Sequence, residues 1–194
     1  MARTTGIRLG AYPHPWEHRI GISNWTHPIT CNLPGDLTFG TDRHYGPIFH
    51  VEDADATILG RSFGFAMTRR PALAIKELGR GARGNGNITR GAGDYASIYC
   101  EAPNLPAILL REIARYAGCH IYLETNDFLI AGKNLVMVHS AKPGPRTLRL
   151  PAPARVTELF RDEVVAECAN VVDFIFDGPD TAVFRVEPVN LTPR

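Results

Sequence analysis

One segment of this 194-residue chain carries a clear helical repeat, and strand-like apolar runs flank it on both sides. Asn104 suits the N-cap of the helix, Pro106 is tolerated in its first turn, and Gly118 is the expected terminator. The apolar side chains recur at helical spacing, as Leu105, Leu109, Ile113 and Tyr116. Tyr95–Cys100 precedes the helix and residues 119–122 follow it. This order predicts a βαβ crossover, in which the two flanking strands are parallel near neighbours.

Three further strands are predicted upstream, at residues 48–51, 57–60 and 71–76. The third is a nearly continuous apolar run, which is typical of a strand buried on both faces, as in α/β sheets. Before them, residues 1–46 are punctuated by proline, glycine and aromatic residues, with a short strand possible at 19–23. We therefore expect an irregular N-terminal arm that packs on another surface.

Beyond residue 128 the predicted strands, among them one at 135–140, become short and closely spaced, with turn residues between them, as at 151–153. This spacing is typical of a small antiparallel β-sandwich. The fold class predicted from the sequence is thus α/β followed by all-β, with domains at residues 1–127 and 128–194. Because the α/β part holds few strands and one clear helix, we expect the chain to begin partway through such a domain.

Composition and charge disfavour several classes of protein. The formal net charge is only +1, so a field that would drive nucleic-acid or membrane binding is not expected. No apolar run approaches the roughly 20 residues of a membrane span. The N-terminus lacks the apolar core of a signal peptide, which predicts a cytoplasmic protein with reduced thiols. None of the four cysteines forms a C-x-x-C pair, so no metal or disulfide framework is predicted.

Two patterns resemble cofactor or metal motifs without meeting their requirements. Gly79-x-Gly81-x-x-Gly84 follows a predicted strand, but the loop runs on into another strand instead of opening a helix. His14 and His18 are four residues apart, but the adjacent prolines disfavour the helix that would bring them together. No cofactor is predicted.

Candidate catalytic residues lie where the strand at 95–100 ends. Cys100, Glu101 and Asn104 occupy this position, and sites collect at strand ends in open α/β sheets. A structural role remains open for each, with Cys100 as an apolar filler and Asn104 as a helix cap. Paired carboxylates for glycosidic chemistry are available, but the sequence does not pair them: Glu77, Glu101, Glu124 and Asp127.

A family resemblance begins at residues 97–106, SIYCEAPNLP, and continues through 109–122, LLREIARYAGCHIY. These segments, in their order, resemble the C-terminal region of bacterial proteins related to the glycoside-hydrolase β-galactosidases, together with residues 40–42, 46–49, 56–60, 134–141, 146–151, 154–160 and 163–166. The resemblance implies a partial flavodoxin-like or glutamine-amidotransferase-like trimerisation domain followed by a terminal β-sandwich. The catalytic glutamates of that family lie in a barrel that this chain does not contain, so no catalytic residue carries over.

Three functions follow for testing. The leading one is a non-catalytic assembly or accessory portion of a glycoside-hydrolase-like protein, whose partners would be further copies or a catalytic barrel on another chain. The second is a free-standing carbohydrate-binding module in which Trp16, Trp25 and Tyr45 stack on sugar rings. The third is a small enzyme that uses Cys100 and a histidine.

Overall fold

The computed structural model describes residues 2–63, 69–79 and 95–189 and is built mainly from antiparallel strands. The chain divides into two compact units, Met1–Tyr116 and Ala117–Arg194, named unit 1 and unit 2 below. Every strand pairing within the described ranges is antiparallel. The predicted α/β class, with a partial flavodoxin-like segment, is therefore wrong.

Unit 1 combines a five-stranded sheet with a two-stranded ribbon. Its described elements are α1 (Ala2–Thr5), β1 (Leu9–Tyr12), β2 (Trp16–Ile22), β3 (Thr38–Tyr45), β4 (Ile48–Val51), β5 (Thr57–Phe63), β6 (Pro71–Leu78), β7 (Tyr95–Cys100) and α2 (Ala107–Tyr116). The sheet has the strand order β3-β2-β5-β6-β7, and β1 pairs with β4 to form the ribbon. The strands predicted at 48–51 and 95–100 are confirmed.

The predicted βαβ crossover is wrong because no described strand of this sheet follows α2, and β7 pairs instead with β6 in antiparallel register from Leu73↔Cys100 to Leu78↔Tyr95. Helix α2 therefore follows the sheet instead of connecting two parallel strands. Residues 119–122 do not form a strand. Helical periodicity and an apolar run reveal elements, but they do not reveal the direction in which two strands pair.

Strand β6 is the buried centre of unit 1, as its apolar run predicts. Ala72, Leu73, Ala74 and Ile75 are all buried. Leu73 and Ile75 belong to the core shared with the apolar face of α2, whereas Ala74 packs with Ile7 and Val51 in the cluster that includes the ribbon. Two-sided burial thus arises here in an antiparallel sheet covered by a helix and a ribbon.

The N-terminal 46 residues are not the irregular arm that the sequence predicts. They contain β1, β2 and β3, and β2 lies inside the sheet between β3 and β5. Pro13 and Pro15 fall between β1 and β2, where no ladder hydrogen bond is lost. The arm interpretation fails because the strands that pair with β1 and β2 are far away in sequence.

Unit 2 is a single five-stranded antiparallel sheet in its described residues. The strands are β8 (Phe128–Ala131), β9 (Leu135–Ser140), β10 (Gly144–Glu158), β11 (Glu163–Phe176) and β12 (Asp180–Pro188), in the order β11-β10-β12-β9-β8. Its core is formed by residues from one face, among them Val138, Leu148, Val156 and Phe184. The strand predicted at 135–140 is confirmed, but the turn predicted at 151–153 is wrong because β10 continues through it.

Buried polar groups fix both units internally. In unit 1, Lys76 Nζ donates to Asp53 at 2.8 Å, and Asp53 also accepts from the Arg8 backbone N–H at 2.9 Å, which ties the ribbon to β6. In unit 2, the buried Arg146 guanidinium pairs with the equally buried Asp127. No helix among the described residues is long and apolar enough to span a bilayer.

Candidate functional site

The strongest candidate site in the described residues is a buried pair in unit 1, formed by Glu101 and His18. Glu101 follows β7 directly and its backbone N–H donates to Ala72 O at 2.8 Å, while His18 lies in β2. The His18 Nδ1 and Glu101 Oε1 atoms are 3.5 Å apart, and the Glu101 side chain is only 2% exposed. His18 Nδ1 and Glu101 Oε2 are buried without a hydrogen-bond partner. Orphaned polar atoms of this kind are uncommon in a folded core and often mark a functional position.

The environment of Glu101 sets its proton affinity near neutrality. Burial raises the pKa of Glu101 to about 7, and the nearby Arg70 guanidinium partly opposes that rise. A carboxyl group with such a pKa can hold or release a proton at physiological pH. The site therefore has acid–base capacity, with His18 and Arg70 as its charged or chargeable neighbours.

Cys100 shares the strand end with Glu101, but its thiol is poorly suited to nucleophilic attack. Burial raises the pKa of Cys100 to about 11, and the Glu101 carboxylate adds to the rise. The thiolate is the reactive form, so at neutral pH almost all of this thiol is unreactive. These properties work against the Cys-dependent enzyme.

Asn104 plays a different part from the helix cap that the sequence predicts. Its side-chain Nδ2 donates to Gly40 O in β3 at 2.8 Å, and α2 begins only at Ala107. The segment after β7 is thus tied to β3, at the opposite edge of the sheet from β7. Gly118, in contrast, has the positive φ of 78° expected of a helix terminator.

One aromatic ring contacts the buried pair directly, and two others contact neighbours of the pair. Trp16 and Tyr45 are direct cross-strand partners, and the His44 ring stacks on Trp16 with centroids 5.7 Å apart. The Tyr45 ring, 47% exposed, lies 5.7 Å from the His18 ring. Arg70 lies over the Tyr12 ring at 4.4 Å. We name these six residues the His18–Glu101 cluster: Tyr12, Trp16, His18, Tyr45, Arg70 and Glu101.

Trp25 does not join this cluster. It follows β2 at the end opposite Trp16, and the strand itself is about 20 Å long. Of the three predicted stacking residues, the structure therefore brings together Trp16 and Tyr45 and leaves Trp25 apart.

A second feature of unit 1 is an open cavity of about 590 Å³ along the edge strand β3, which the sequence analysis did not anticipate. It is lined by Arg19 and residues 38–43, and Arg19 pairs with Asp42 across it. Gly40, the acceptor for Asn104, is part of the lining. Through this hydrogen bond, the segment after β7 links the cavity to the end of β7, where Glu101 lies.

The remaining candidates have separate structural roles. Asp127 is held by Arg146, and Glu77 accepts a hydrogen bond from the Tyr116 hydroxyl. In residues 2–63, 69–79 and 95–189, no three or more His, Cys, Asp or Glu side chains group closely enough to hold a metal ion. Most of the glycine-rich motif at 79–84 lies outside the described residues.

The sequence predicts that Glu101 lies at a strand end, as it does in the structure, but it does not predict the partners of Glu101. In the sequence, His18 stands out only through its spacing from His14, although it alternates with Trp16 and Ile20 along β2. Arg70 precedes β6, and no sequence pattern marks it as a site residue. Pairing of β2 inside the sheet, which brings these residues together, is a long-range property.

Comparison with known proteins gives a single informative likeness. No family model matches the chain, and no curated protein matches its sequence. Among solved structures, it is similar to β-galactosidase from Bacillus circulans sp. alkalophilus, with 13% identity and a TM-score of 0.53. The match covers 95% of this chain and 25% of that one, so the chain spans about a quarter of the length of that protein. At this identity the likeness concerns the fold. It agrees with the resemblance to β-galactosidase-related proteins, whereas the flavodoxin-like part of that expectation is wrong.

Proposed function

We propose that this chain is a non-catalytic assembly or accessory portion of a glycoside-hydrolase-like protein. The observation that carries the proposal is the match of nearly the whole chain to one quarter of a β-galactosidase. Both units contribute to the matched length, because the match covers 95% of the chain. The catalytic barrel would then belong to another chain or to another part of the same protein.

The chemistry of the His18–Glu101 cluster supports a non-catalytic role. Glycoside hydrolysis ordinarily requires two carboxyl groups that face each other across the scissile bond, about 5 to 10 Å apart. Glu101 instead faces an imidazole and a guanidinium. Its side chain is also almost completely buried, which leaves it no exposed surface for a glycosidic oxygen.

Hydrolysis of nitrophenyl β-galactosides and β-glucosides by the purified chain tests this part of the proposal. We expect no release of nitrophenol above the buffer rate. The Glu101→Gln variant is the matched control, because it preserves size and removes the acid. Hydrolysis by the native chain that Glu101→Gln abolishes would contradict the non-catalytic assignment.

A carbohydrate-binding role is the second candidate. The Tyr45 ring lies beside His18, whose buried Nδ1 has no partner, and Trp16 is the cross-strand partner of Tyr45, which favours this role. Aromatic faces stack on the apolar faces of sugar rings, and a carboxyl and an imidazole can hydrogen-bond hydroxyl groups.

The test of this role is a titration with galactose and short galactosides, monitored by tryptophan fluorescence. Trp16→Leu should abolish a saturable change and Trp25→Leu should retain it. Equal loss in both variants, or no saturable change in the native chain, would reject this role.

A further inference from the structure

We propose that unit 1 carries an anion-binding pocket between β2 and β5, and that its ligand is the carboxylate of an acidic sugar. Arg61 and Arg69 hold the carboxylate, and the ring of Phe63 supports the sugar. The choice of a sugar rests on the accessory role proposed above, whereas the affinity for an anion rests on the pocket alone. No member of the His18–Glu101 cluster is among the described residues that line this pocket.

The pocket is a depression of about 240 Å³ on the outer face of the sheet. Cross-strand partners share a face, so Gly21 and its partner Arg61 lie opposite the face on which Ile20 joins the core. Glycine has no side chain, which leaves the floor of the pocket open. A Cβ at Gly21 would meet only the Phe63 ring, at 3.5 Å. Sites for drug-sized ligands occupy roughly 300–1,000 Å³, so this pocket suits a ligand of about one sugar unit.

The charge of the pocket comes from Arg61 and Arg69, which are both exposed and both line it. Arg61 Nη1 donates to Arg69 O at 3.0 Å, which holds the Arg61 guanidinium at the pocket and leaves its other N–H groups for a ligand. Among the described residues, no carboxylate pairs with either guanidinium, and no acidic side chain lines the pocket. Residues 64–68, between the two arginines in the sequence, are GFAMT and include no acid. Two cationic groups at one pocket without a counter-ion favour an anionic ligand.

Arg19, on the same face of the sheet, differs from these two arginines. It is the cross-strand partner of Phe63, but its guanidinium already pairs with Asp42 and lies 3.7 Å from Glu17. Its charge is therefore balanced within the protein. The comparison locates the unbalanced positive charge at Arg61 and Arg69, and it makes Arg19 the natural control.

The remaining lining residues favour an acidic sugar over a simple inorganic anion. A guanidinium binds a carboxylate through two parallel N–H···O hydrogen bonds. The half-buried Phe63 ring offers an apolar surface to one face of a sugar ring, and the exposed Ser23 hydroxyl can exchange hydrogen bonds with sugar hydroxyls. Inorganic phosphate uses the arginines but gains nothing from the aromatic ring. A hexuronate uses both, so we expect it to bind more tightly than phosphate.

Calorimetric titration of the full chain with galacturonate, galactose and inorganic phosphate tests the pocket. We expect saturable binding of galacturonate that weakens as salt is added, because the interaction is ionic. Arg61→Gln and Arg69→Gln should each weaken it at least roughly tenfold. Gly21→Val should abolish it by filling the floor of the pocket, since a Cβ there meets no backbone. Arg19→Gln is the matched control, because it removes a charge from the same face and should leave the affinity unchanged.

Two further measurements keep the test specific. Circular dichroism and thermal unfolding check that each variant retains the fold. Galactose has the same ring without the carboxylate, so any binding of galactose should be unaffected by Arg61→Gln and Arg69→Gln.

The possible results separate the pocket from its ligand and from the proposed function. No saturable binding of galacturonate or phosphate, or equal losses in Arg61→Gln and Arg19→Gln, would overturn the anion pocket. Phosphate that binds as tightly as galacturonate, through the same two arginines, would overturn the sugar ligand and assign the pocket to a free inorganic anion. Hydrolysis of galactosides by the chain would contradict only the non-catalytic function.

Discussion

At the scale of single residues, Glu101 is the most informative side chain in the molecule. Its carboxyl group is buried against His18, near Arg70, and one of its oxygens has no hydrogen-bond partner. Burial without full compensation favours the neutral acid. The folded state therefore binds a proton at Glu101 more tightly than the unfolded chain does.

This difference predicts a pH dependence of stability. The pKa of Glu101 rises from an ordinary 4.5 to about 7 on folding. Because the folded pKa is the higher one, the stabilisation is fully present below pH 4.5 and is lost as the pH rises toward 7. The loss amounts to about 3 kcal/mol. Urea unfolding of the native chain and of Glu101→Gln at pH 5, 6, 7 and 8 should show the native chain losing stability relative to the variant. Parallel pH profiles would contradict this account of the site.

At the scale of elements, the close pairing of β2 with β3 depends on one glycine. Gly40 has φ of 123°, and a Cβ at this position would lie against the carbonyl oxygen of His18. The carbonyl oxygen of Gly40 also accepts the hydrogen bond from the Asn104 side chain. This position therefore links strand geometry to the His18–Glu101 cluster.

Substitution of Gly40 tests that link. Gly40→Ala should destabilise unit 1 by about 3 kcal/mol, because a left-handed backbone and a backbone clash act together. Gly118→Ala is the control: Gly118 also has a positive φ, but its Cβ would enter open space, so the loss should be about 1 kcal/mol. Thermal unfolding of both variants gives the comparison. Equal losses would mean that the contact with His18 is unimportant.

The elements also indicate how far sequence reasoning reaches. The apolar run of β6, the apolar face of α2 and the terminator Gly118 were all predictable, because each is a local pattern. The direction of β7 and the insertion of β2 into the sheet were not, because they depend on partners far away in the chain. Glu101 was predictable because it follows β7, which the local sequence pattern reveals. Its partner His18 was not, because it lies in β2, whose place in the sheet depends on distant strands.

At the scale of the whole molecule, the two compact units suggest where the chain can be divided. The division falls after Tyr116, whereas the sequence predicts a domain boundary between residues 127 and 128. The intervening stretch contributes Leu123 to the core of unit 2, and Asp127 to the buried pair with Arg146. Burial raises the pKa of Asp127, but hydrogen bonds from Arg146, Thr125 and Ser140 outweigh burial and hold it below the ordinary value.

A fragment of residues 117–194 should therefore fold more stably than one of residues 128–194. The shorter fragment loses a core leucine and leaves a buried guanidinium unpaired, which together should cost more than about 4 kcal/mol. Urea unfolding of the two fragments measures the difference. The excess stability of the longer fragment should shrink as the pH falls below 3.8 toward the lower folded pKa of Asp127, because the unfolded chain then binds a proton at Asp127 more readily than the folded unit does. Similar stability of the two fragments at neutral pH would contradict this and would place the start of the folding unit after residue 127.

The central claim is that this chain acts through assembly and not through chemistry of its own. The most direct test is the weight-average mass of the full native chain, measured by light scattering as a function of concentration at neutral pH. We predict a reversible rise from 21.4 kDa to a multiple of that mass. A mass that stays at 21.4 kDa at every concentration would contradict self-assembly and would leave only the accessory role beside a barrel on another chain.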